Sequence, residues 1–436
     1  MTHLSVREWG RVPVGEGGFS RREADALLAA ARAHPKAHED ATNILVDLHK
    51  KLAVRQMVGV IAAEGCSLEI LPKVDPADGG DEDAATVRSR LMRMLQVALG
   101  LDLSLGSASD LARQGDTLLD VIIRVFADQL LAEVRRGLPR RYLAQQNDLA
   151  AMRGSLDVTR QFTVHAVRPD RLACRYDELD ANTPLMQIMA TSVAFLGNHA
   201  RSIETQRRLS ELRHAFAEIR TCPVSQLPWQ DVRIDRTNRR WRGLLDLAAL
   251  LLRRDWQATH HDPGKAGITL LFPMNDLFEA YVGAMLRRAF AGTGISVTEQ
   301  GGRAFCLGHH TGEHLSSGHL FQTKPDFILK RGGDIVAIID TKWKRLAEPT
   351  DGKRGISQSD IYQLMAYARL YQARELMLLY PAVPGEEAGL QRGFGIVQGH
   401  ERLSIATVDL SLGEAALLAQ LRATITPTMS TIKACA

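Results

Sequence analysis

The sequence has few cysteines, and none of them lies in a CxxC pair. The 436 residues include five, widely spaced and odd in number: Cys66, Cys174, Cys222, Cys306 and Cys435. This scarcity excludes a disulfide framework and argues against a zinc ribbon or an iron–sulfur cluster. We therefore predict a protein of the reducing cytoplasm.

Long apolar runs are lacking as well. The most apolar stretch, residues 243–252, is ten residues long and contains Asp246, whereas a bilayer span needs about twenty apolar residues. The first eight residues hold no uninterrupted apolar segment, so they do not predict a signal peptide. We expect no membrane association. A GxxxxGK(S/T) motif is also absent, so nucleotide hydrolysis would have to come from another chain.

Neither sign of charge is in large excess, since 54 Lys and Arg oppose 50 Asp and Glu for a net charge of +4. So weak a field permits a nucleic-acid partner but does not require one unless the charge is clustered. The apolar fraction of 45% and the charged fraction of 24% argue against disorder. The length predicts two or three domains.

The residue pattern predicts strands at the start, helices in the middle and an alternation of both at the end. The predicted elements are a strand over 5–14, a helix over 21–32, a hairpin of 54–61 and 68–71, a helical block from 86 to about 141, and a second over 184–252 with a break at 223–229. We therefore predict an α+β or α/β multidomain protein. Its parts are a β-containing N-terminal region (1–160), a helical, arginine-rich middle (161–265) and a C-terminal domain (266–436).

The segment that carries chemistry is residues 324–344, KPDFILKRGGDIVAIIDTKWK. Its two apolar halves are typical of strands, and Gly332-Gly333 supplies the turn between them. A three-residue loop ending at Asp334 would place Asp326 directly opposite Asp340. A two-residue loop would shift the register by one and put the two acids on opposite faces.

Two facing carboxylates need a cation between them, because like charges directly opposite each other are destabilising. Mg²⁺ (or Mn²⁺) takes one or two carboxylates together with water and phosphate oxygens. Lys342 follows Asp340 by two residues, so it shares that strand face and can polarise an attacking water. PD and DxK are each common alone, as Pro169-Asp170 and Asp351-Gly352-Lys353 illustrate. Asp326, Asp340 and Lys342 on one face nevertheless predict metal-dependent phosphodiester hydrolysis.

Two flanking helices add polar candidates. Asn275 is the predicted cap of the first, on which Glu279 either reaches a cleft or is a solvated helix residue. Ser359 is the predicted cap of the second, on which Gln363 and Tyr367 lie four residues apart on one face. That pair is either a half-buried polar contact or a group that touches the DNA backbone or supports the lysine and the metal.

Together these residues carry a family resemblance. A helix with Glu279, then Pro325-Asp326, Asp340-Thr341-Lys342 and a helix with Gln363 and Tyr367 are similar to the PD-(D/E)xK nuclease fold with a QxxxY element. The wider chain resembles the McrC family, the nuclease subunits of modification-dependent McrBC restriction systems. The supporting stretches are VGVI (58–61), LEILPK (68–73), RGSLD (153–157) and FPMNDLFE (272–279).

The resemblance implies further roles. Asp326 and Asp340 would be metal ligands, and Thr341 would add its carbonyl oxygen. Glu279 would be an auxiliary acid and a further metal residue, and Lys342 would handle the nucleophilic water. The N-terminal region would bind an McrB-like AAA+ GTPase ring and stimulate its hydrolysis. The C-terminal domain would cut double-stranded, methylated DNA in defence against phage.

Two other clusters leave alternatives open. Arginines of the middle region either contact DNA phosphates or dock a partner protein: Arg233, Arg236, Arg239, Arg240 and Arg242. Lys344 is a further candidate DNA contact. His309, His310, His314 and His319 invite a zinc site, but they lack ligand-like pairing, so we expect a solvated loop.

Two rival functions remain beside the nuclease subunit. The first is a non-cutting regulator that only activates the motor, but it would not need Asp326, Asp340 and Lys342 intact. The second is a stand-alone repair nuclease, which would leave the long N-terminal region unexplained.

Overall fold

The computed structural model describes residues 2–34, 37, 43–63, 65–73, 83–100, 117–167, 170–252, 268–302, 304–308, 310–311, 314–315, 320–346, 356–383 and 385–430. Over these residues the protein is mixed α+β, as predicted, with twenty strands and ten α-helices. It divides into two compact units, one with described residues in 2–100 and 268–430 and the other in 117–252. No helix in these ranges combines the length and apolar content that a membrane span requires.

The N-terminal part of the first unit is built mainly of strands. Its elements are β1 (Thr2–Arg7), β2 (Arg11–Pro13), α1 (Arg21–Arg32), β3 (Leu45–Asp47), β4 (Lys51–Val54), β5 (Met57–Ala63), β6 (Cys66–Leu71) and α2 (Ala84–Ala98). β1 runs parallel to β6, and β6 pairs antiparallel with β5. β2, β4 and β3 form a separate three-stranded sheet.

Helix α1 has its predicted bounds. Ser20 and Glu23 form a capping box, in which the Ser20 N–H donates to the Glu23 carboxylate at 2.8 Å and the Glu23 N–H donates to the Ser20 hydroxyl at 3.3 Å. The buried face has the predicted helical spacing: Ala24, Leu27, Leu28 and Ala31. Local sequence alone therefore specifies this helix.

The predicted hairpin is confirmed as β5 and β6, whereas the single predicted strand over 5–14 is wrong. The chain turns at Trp9, which adopts a left-handed φ of 65°. The two halves become β1 and β2, which belong to different sheets.

A buried ion pair joins β6 to helix α2. Glu69 is fully buried, and Arg88 donates to both its carboxylate oxygens, from Nε at 2.7 Å and from Nη2 at 2.8 Å. Such bidentate pairs are directional as well as strong. The pair therefore fixes the orientation of α2 on the sheet.

The second unit contains five of the described helices and a three-stranded sheet. Its elements are α3 (Leu118–Arg135), β7 (Arg141–Leu149), β8 (Ser155–Leu156), α4 (Val158–Thr163), β9 (Leu172–Asp180), α5 (Pro184–Leu196), α6 (Ile203–Ala215) and α7 (Arg242–Leu252). The break at 223–229 contains short 3₁₀ turns, as the prolines predicted. The sheet, in the order β7-β9-β8, was not predicted.

The C-terminal part of the first unit alternates helices and strands. Its elements are β10 (Ile268–Pro273), α8 (Met274–Phe290), β11 (Ile295–Glu299), β12 (Phe305–Leu307), β13 (His310–Thr311), β14 (His314–Leu315), β15 (Leu320–Gln322), β16 (Phe327–Arg331), β17 (Asp334–Thr341), α9 (Gln358–Tyr371), β18 (Glu375–Pro381), β19 (Gly389–Gly395), β20 (Arg402–Val408) and α10 (Glu414–Ser430). Both helix starts differ from prediction. α8 follows Pro273, so Asn275 is not its cap, and α9 follows Ser357, so Ser359 is not its cap.

Strand β10 completes the N-terminal sheet, whose order is β1-β6-β5-β10. It approaches β5 closely at Gly59, which has a φ of +131°, and a Cβ there would lie 1.8 Å from the carbonyl oxygen of Leu270. Only glycine permits this approach. The N-terminal and C-terminal parts of the first unit thus share one sheet.

The second large sheet has six strands in the order β11-β16-β17-β18-β20-β19. β17, β18 and β20 are parallel, and α9 forms the crossover from β17 to β18. α9 packs on the sheet through a buried cluster that includes Ile338, Leu364, Tyr367 and Leu378. This packing places the polar residues of α9 next to the C-terminal end of β17.

Candidate functional site

The turn between β16 and β17 is tighter than predicted. Arg331 pairs with Asp334, so the loop consists of Gly332 and Gly333 alone, with left-handed φ values of 59° and 103°. These values suit a two-residue hairpin turn that glycine favours. The predicted three-residue loop is therefore wrong, and by itself the short loop would separate the two acids.

A β-bulge restores the predicted register of the acids. The pairing shifts by one residue beyond Lys330, and Val336 is the extra residue on β17. Phe327 then pairs with Ile339. The next pair in this register is Asp326 and Asp340, so the two acids face each other as predicted, although for a different reason.

Asp340 is the most buried of the candidate site residues, with 1% of its surface exposed. Lys342 Nζ lies 2.6 Å from Asp340 Oδ2, and Asp340 Oδ1 has no hydrogen-bond partner among the described groups. Burial and, secondly, the charge of Asp326 raise the pKa of Asp340 to about 6. A buried carboxylate oxygen without a hydrogen-bond donor is a group that can bind a metal ion.

Asp326 is held in place by Thr341. The Thr341 N–H and the Thr341 hydroxyl both donate to Asp326 Oδ2, each at 2.7 Å. The predicted carbonyl ligand therefore has a second task, which is to orient the neighbouring acid. The proposed metal contact of the Thr341 carbonyl stays a prediction.

Glu279 lies half-buried on α8 and accepts a hydrogen bond from Gln300 Nε2 at 2.9 Å. Burial and then the charge of Asp326 raise the pKa of Glu279, which places the two acids within electrostatic reach of each other. Across the described ranges, however, no three or more His, Cys, Asp or Glu side chains form a metal-ligating group. Glu279 does not form such a group with Asp326 and Asp340, and its predicted metal contact stays a prediction.

The residues present fit an ion such as Mg²⁺ or Mn²⁺. Asp326 and Asp340 supply hard oxygen donors, and Asp340 Oδ1 is buried without a hydrogen bond from the described residues. Magnesium sites commonly use one or two carboxylates and complete the shell with water and phosphate oxygens. Two protein carboxylates are therefore a sufficient set.

Helix α9 contributes a hydrogen-bonded pair. Gln363 Nε2 donates to the Tyr367 hydroxyl at 2.6 Å, and Tyr367 is buried. Burial raises the pKa of Tyr367 to about 12, and the charges of Asp340 and Asp326 also raise it. The Tyr367 phenol therefore stays protonated and lies close to both acids.

Lys344 connects the segment that follows β17 to α9. Its Nζ lies 2.6 Å from Asp360 Oδ2, in the first turn of the helix. The predicted DNA contact of Lys344 stays a prediction. The ion pair with Asp360 also gives Lys344 a structural role.

Trp343 links the site to the N-terminal sheet. Its Nε1 donates to Glu8 Oε1 at 2.8 Å, and its ring lies 5.4 Å from that of Phe278, the neighbour of Glu279. Glu8 is buried, also accepts the Lys73 N–H at 2.9 Å, and has its pKa raised by burial. A residue next to Lys342 is thus anchored by a side chain from the first ten residues.

We expect the Trp343→Phe variant to be less stable by about 1–2 kcal/mol, because the buried Glu8 carboxylate loses one of its two hydrogen-bond donors. Trp9→Phe is the matched control, since Trp9 is 56% exposed and surface substitutions usually change stability by less than about 0.5 kcal/mol. Urea unfolding of both variants measures the difference. Equal stability of the two would contradict the anchoring role of Trp343.

The sequence matches a protein family over residues 52–381, and that family is described as the McrBC 5-methylcytosine restriction system component. The matched range includes Glu279, Asp326, Asp340, Lys342 and Gln363 and covers well over half of the chain. The chain belongs to this McrBC family. No curated protein matches it.

Two solved structures have the fold of this McrBC-family chain. One is the refined half-complex from a tetradecameric assembly of Thermococcus gammatolerans McrB AAA+ hexamers with bound McrC, at a TM-score of 0.75 and 20% identity, covering 97% of this chain and 100% of the other. The other is the cryo-EM structure of the Thermococcus gammatolerans McrBC complex, at a TM-score of 0.56 and 22% identity, covering 66% of this chain and 88% of the other. At these identities the likeness concerns the fold.

Two other clusters were predicted in this McrBC-family chain. The arginines at 233, 236, 239, 240 and 242 are exposed residues of the second unit. Two of them make ion pairs there, Arg240 with Glu133 at 2.7 Å and Arg242 with Asp246 at 3.4 Å. The side chains of His309, His310, His314 and His319 fall outside the described residues.

Sequence reasoning missed two residues of the site. Gln300 contacts Glu279, and Asp360 pairs with Lys344. Asp360 carries a usable signal, because the helix dipole favours an acidic residue in the first turn of a helix. Gln300 carries none, since it lies in no motif and at no periodic position.

Proposed function

We propose that this McrBC-family chain is a metal-dependent DNA endonuclease subunit with a PD-(D/E)xK domain over residues 266–436. The observation that carries the proposal is the register of β16 and β17, which sets Asp326 opposite the buried Asp340. Lys342 completes the group, with its Nζ 2.6 Å from Asp340 Oδ2. Two facing acids and a lysine suit phosphodiester hydrolysis with an oxygen-seeking metal.

Lys342 acts in this proposal as a hydrogen-bond donor and not as a base. Burial lowers its pKa, but the ion pair with Asp340 outweighs that effect, so its pKa is raised overall. The ammonium group therefore orients the attacking water and offsets negative charge on the phosphate. Mg²⁺ or Mn²⁺ held by Asp326 and Asp340 would supply Lewis acidity toward the same phosphate.

The remaining residues have supporting roles in the proposal. Glu279 is the auxiliary acid, and the carbonyl oxygen of Thr341 is a further candidate ligand. Gln363 and Tyr367 form a neutral, hydrogen-bonded pair beside the acids. Because the Tyr367 phenol keeps its proton, the pair can approach the DNA backbone without adding negative charge.

The proposed partner is an McrB-like AAA+ GTPase ring, bound through the N-terminal region, residues 1–160. Support comes from the likeness to the assembly of McrB hexamers with bound McrC, and from the absence of a phosphate-binding loop in this sequence. The proposed substrate is double-stranded DNA carrying 5-methylcytosine, cut in the cytoplasm. Arg233, Arg236, Arg239, Arg240 and Lys344 are the proposed phosphate contacts.

Reconstitution with an McrB-type GTPase tests this function. Methylated and unmethylated plasmids are incubated with both proteins, GTP and Mg²⁺, and then with each component left out. We expect double-strand cleavage of the methylated plasmid only when every component is present.

Two results would favour the rivals. If GTP hydrolysis rises but no DNA is cut, the chain is a regulator of the motor. If the chain alone cuts unmethylated DNA without GTP, it is a stand-alone nuclease.

A further inference from the structure

Gln300 occupies an unusual position between the acids of the candidate site. It directly follows β11, the strand that pairs with β16, and has a left-handed φ of 44°. Its N–H donates to the carbonyl oxygen of Asp326 at 2.9 Å, and its side-chain Nε2 donates to Glu279 Oε1, also at 2.9 Å. One residue therefore binds the backbone of one acid and the carboxylate of another.

The backbone at this residue is strained. A non-glycine residue in the left-handed region costs about 1–2 kcal/mol, and such strain concentrates at functional sites. Glycine would adopt the same φ without that cost, but it would leave the Glu279 carboxylate without its donor. The strained backbone is thus kept together with a side chain that glycine could not supply.

We propose that Gln300 is a positioning residue, which holds the Glu279 carboxylate toward Asp326 at the metal site. This inference rests on the proposed nuclease function. Glu279 and Asp326 repel each other as like charges, so without a donor the Glu279 side chain would turn away. The amide of Gln300 offsets the repulsion, and the Gln300 N–H fixes the chain segment of Asp326 at the same time.

Two substitutions distinguish the role of the Gln300 side chain from that of its backbone. Gln300→Ala removes the amide, whereas Gln300→Asn keeps an amide one methylene shorter, and asparagine tolerates the left-handed region better than glutamine. Gln398→Ala is the matched control, because Gln398 is also an exposed glutamine with a left-handed φ, of 64°. If Gln300 served only to support the left-handed backbone, the Gln300→Asn variant would bind Mn²⁺ like wild type.

We expect both Gln300 variants to bind Mn²⁺ about 10–100-fold more weakly than wild type, the usual effect of removing a partner of a metal ligand. Isothermal titration of Mn²⁺ into the full chain without DNA measures this. Cleavage of methylated DNA with the GTPase partner should fall by a similar factor. The Gln398→Ala control should match wild type in both assays.

A double-mutant cycle tests whether Gln300 acts through Glu279. In a Glu279→Gln background, Gln300→Ala should cause no further loss of Mn²⁺ affinity. A full additive loss, or Mn²⁺ affinities equal to the control, would overturn the role of Gln300. A wild-type chain that neither binds Mn²⁺ nor cuts would instead overturn the proposed function itself.

Discussion

The Asp340→Asn variant is expected to stimulate its GTPase partner like wild type but to cut methylated DNA at least about 10³-fold more slowly. Asparagine keeps the shape of the side chain and loses the charge that a divalent ion needs. Metal stabilisation of the transition state contributes several kcal/mol, and about 4 kcal/mol corresponds to 10³-fold in rate. In the proposed function, cleavage depends on this contribution, whereas GTP hydrolysis takes place on the partner.

DNA cleavage and GTPase stimulation should respond differently to this substitution, so both are measured together. Plasmid cleavage and phosphate release are measured in the same reaction, with GTP, Mg²⁺ and the partner at fixed concentrations. Asp334→Asn is the matched control, because Asp334 begins the same strand but is exposed at the hairpin turn. It should leave both rates unchanged.

Two outcomes would contradict the assignment. Cleavage by Asp340→Asn at the wild-type rate would show that Asp340 does not hold the metal. Joint loss of cleavage and GTPase stimulation would show that Asp340 supports the fold or the partner contact instead.

Local sequence patterns predicted the elements whose stability is local. The bounds of α1 follow from its capping box and apolar spacing, and the break at 223–229 follows from its prolines. The strand pattern around PD and DxK pointed to Asp326, Asp340 and Lys342, and the family resemblance then implied their roles. These features need no knowledge of how distant segments pack.

The register of the acids shows the limit of that reasoning. Sequence reasoning placed Asp326 opposite Asp340 through a three-residue loop, but the structure uses a two-residue loop and a bulge at Val336. A bulge inside an apolar, β-branched run leaves no local signal, since every residue there suits a strand. The predicted loop was one residue too long and the bulge of one residue was missed, so the two errors cancelled.

Contacts between distant segments were beyond the sequence. Trp343 and Glu8 lie 335 residues apart, and Gln300 and Glu279 lie 21 residues apart. The pairing of β7 with β9 was missed because none of the described β7 side chains is buried, so β7 lacks the alternation of apolar and polar residues that predicts a strand. These contacts depend on tertiary packing and long-range hydrogen bonds, which the periodicity of the sequence does not encode.

The burial of Asp340 also affects the stability of the fold. Its pKa is raised to about 6 from an ordinary value near 3.8, so the folded chain binds the proton more tightly than the unfolded chain does. Below about pH 4 both states are protonated and the burial has no electrostatic cost. Above about pH 6 the folded state must hold the charge, and a difference of about two pKa units costs about 3 kcal/mol.

The metal-free wild-type chain should therefore lose stability relative to Asp340→Asn as the pH rises. The advantage of the variant should grow from near zero below about pH 4 to about 3 kcal/mol above about pH 6. Denaturant unfolding in EDTA across this range measures it. Asp334→Asn serves again as control, and its difference from wild type should not depend on pH. A pH-independent difference for Asp340→Asn would contradict the raised pKa of the buried Asp340 carboxylate.

Added Mg²⁺ should reverse the order of the two proteins at pH 7.5. An ion that binds only the folded state stabilises it by about 4 kcal/mol at about one thousand times its dissociation constant, which exceeds the cost of about 3 kcal/mol. Wild type gains this stabilisation because Asp340 is charged, whereas Asp340→Asn gains little. If Mg²⁺ stabilised both proteins equally, the ion would bind elsewhere. The same carboxylate thus destabilises the empty fold and stabilises the loaded one, as expected for a group kept for binding a metal and not for packing.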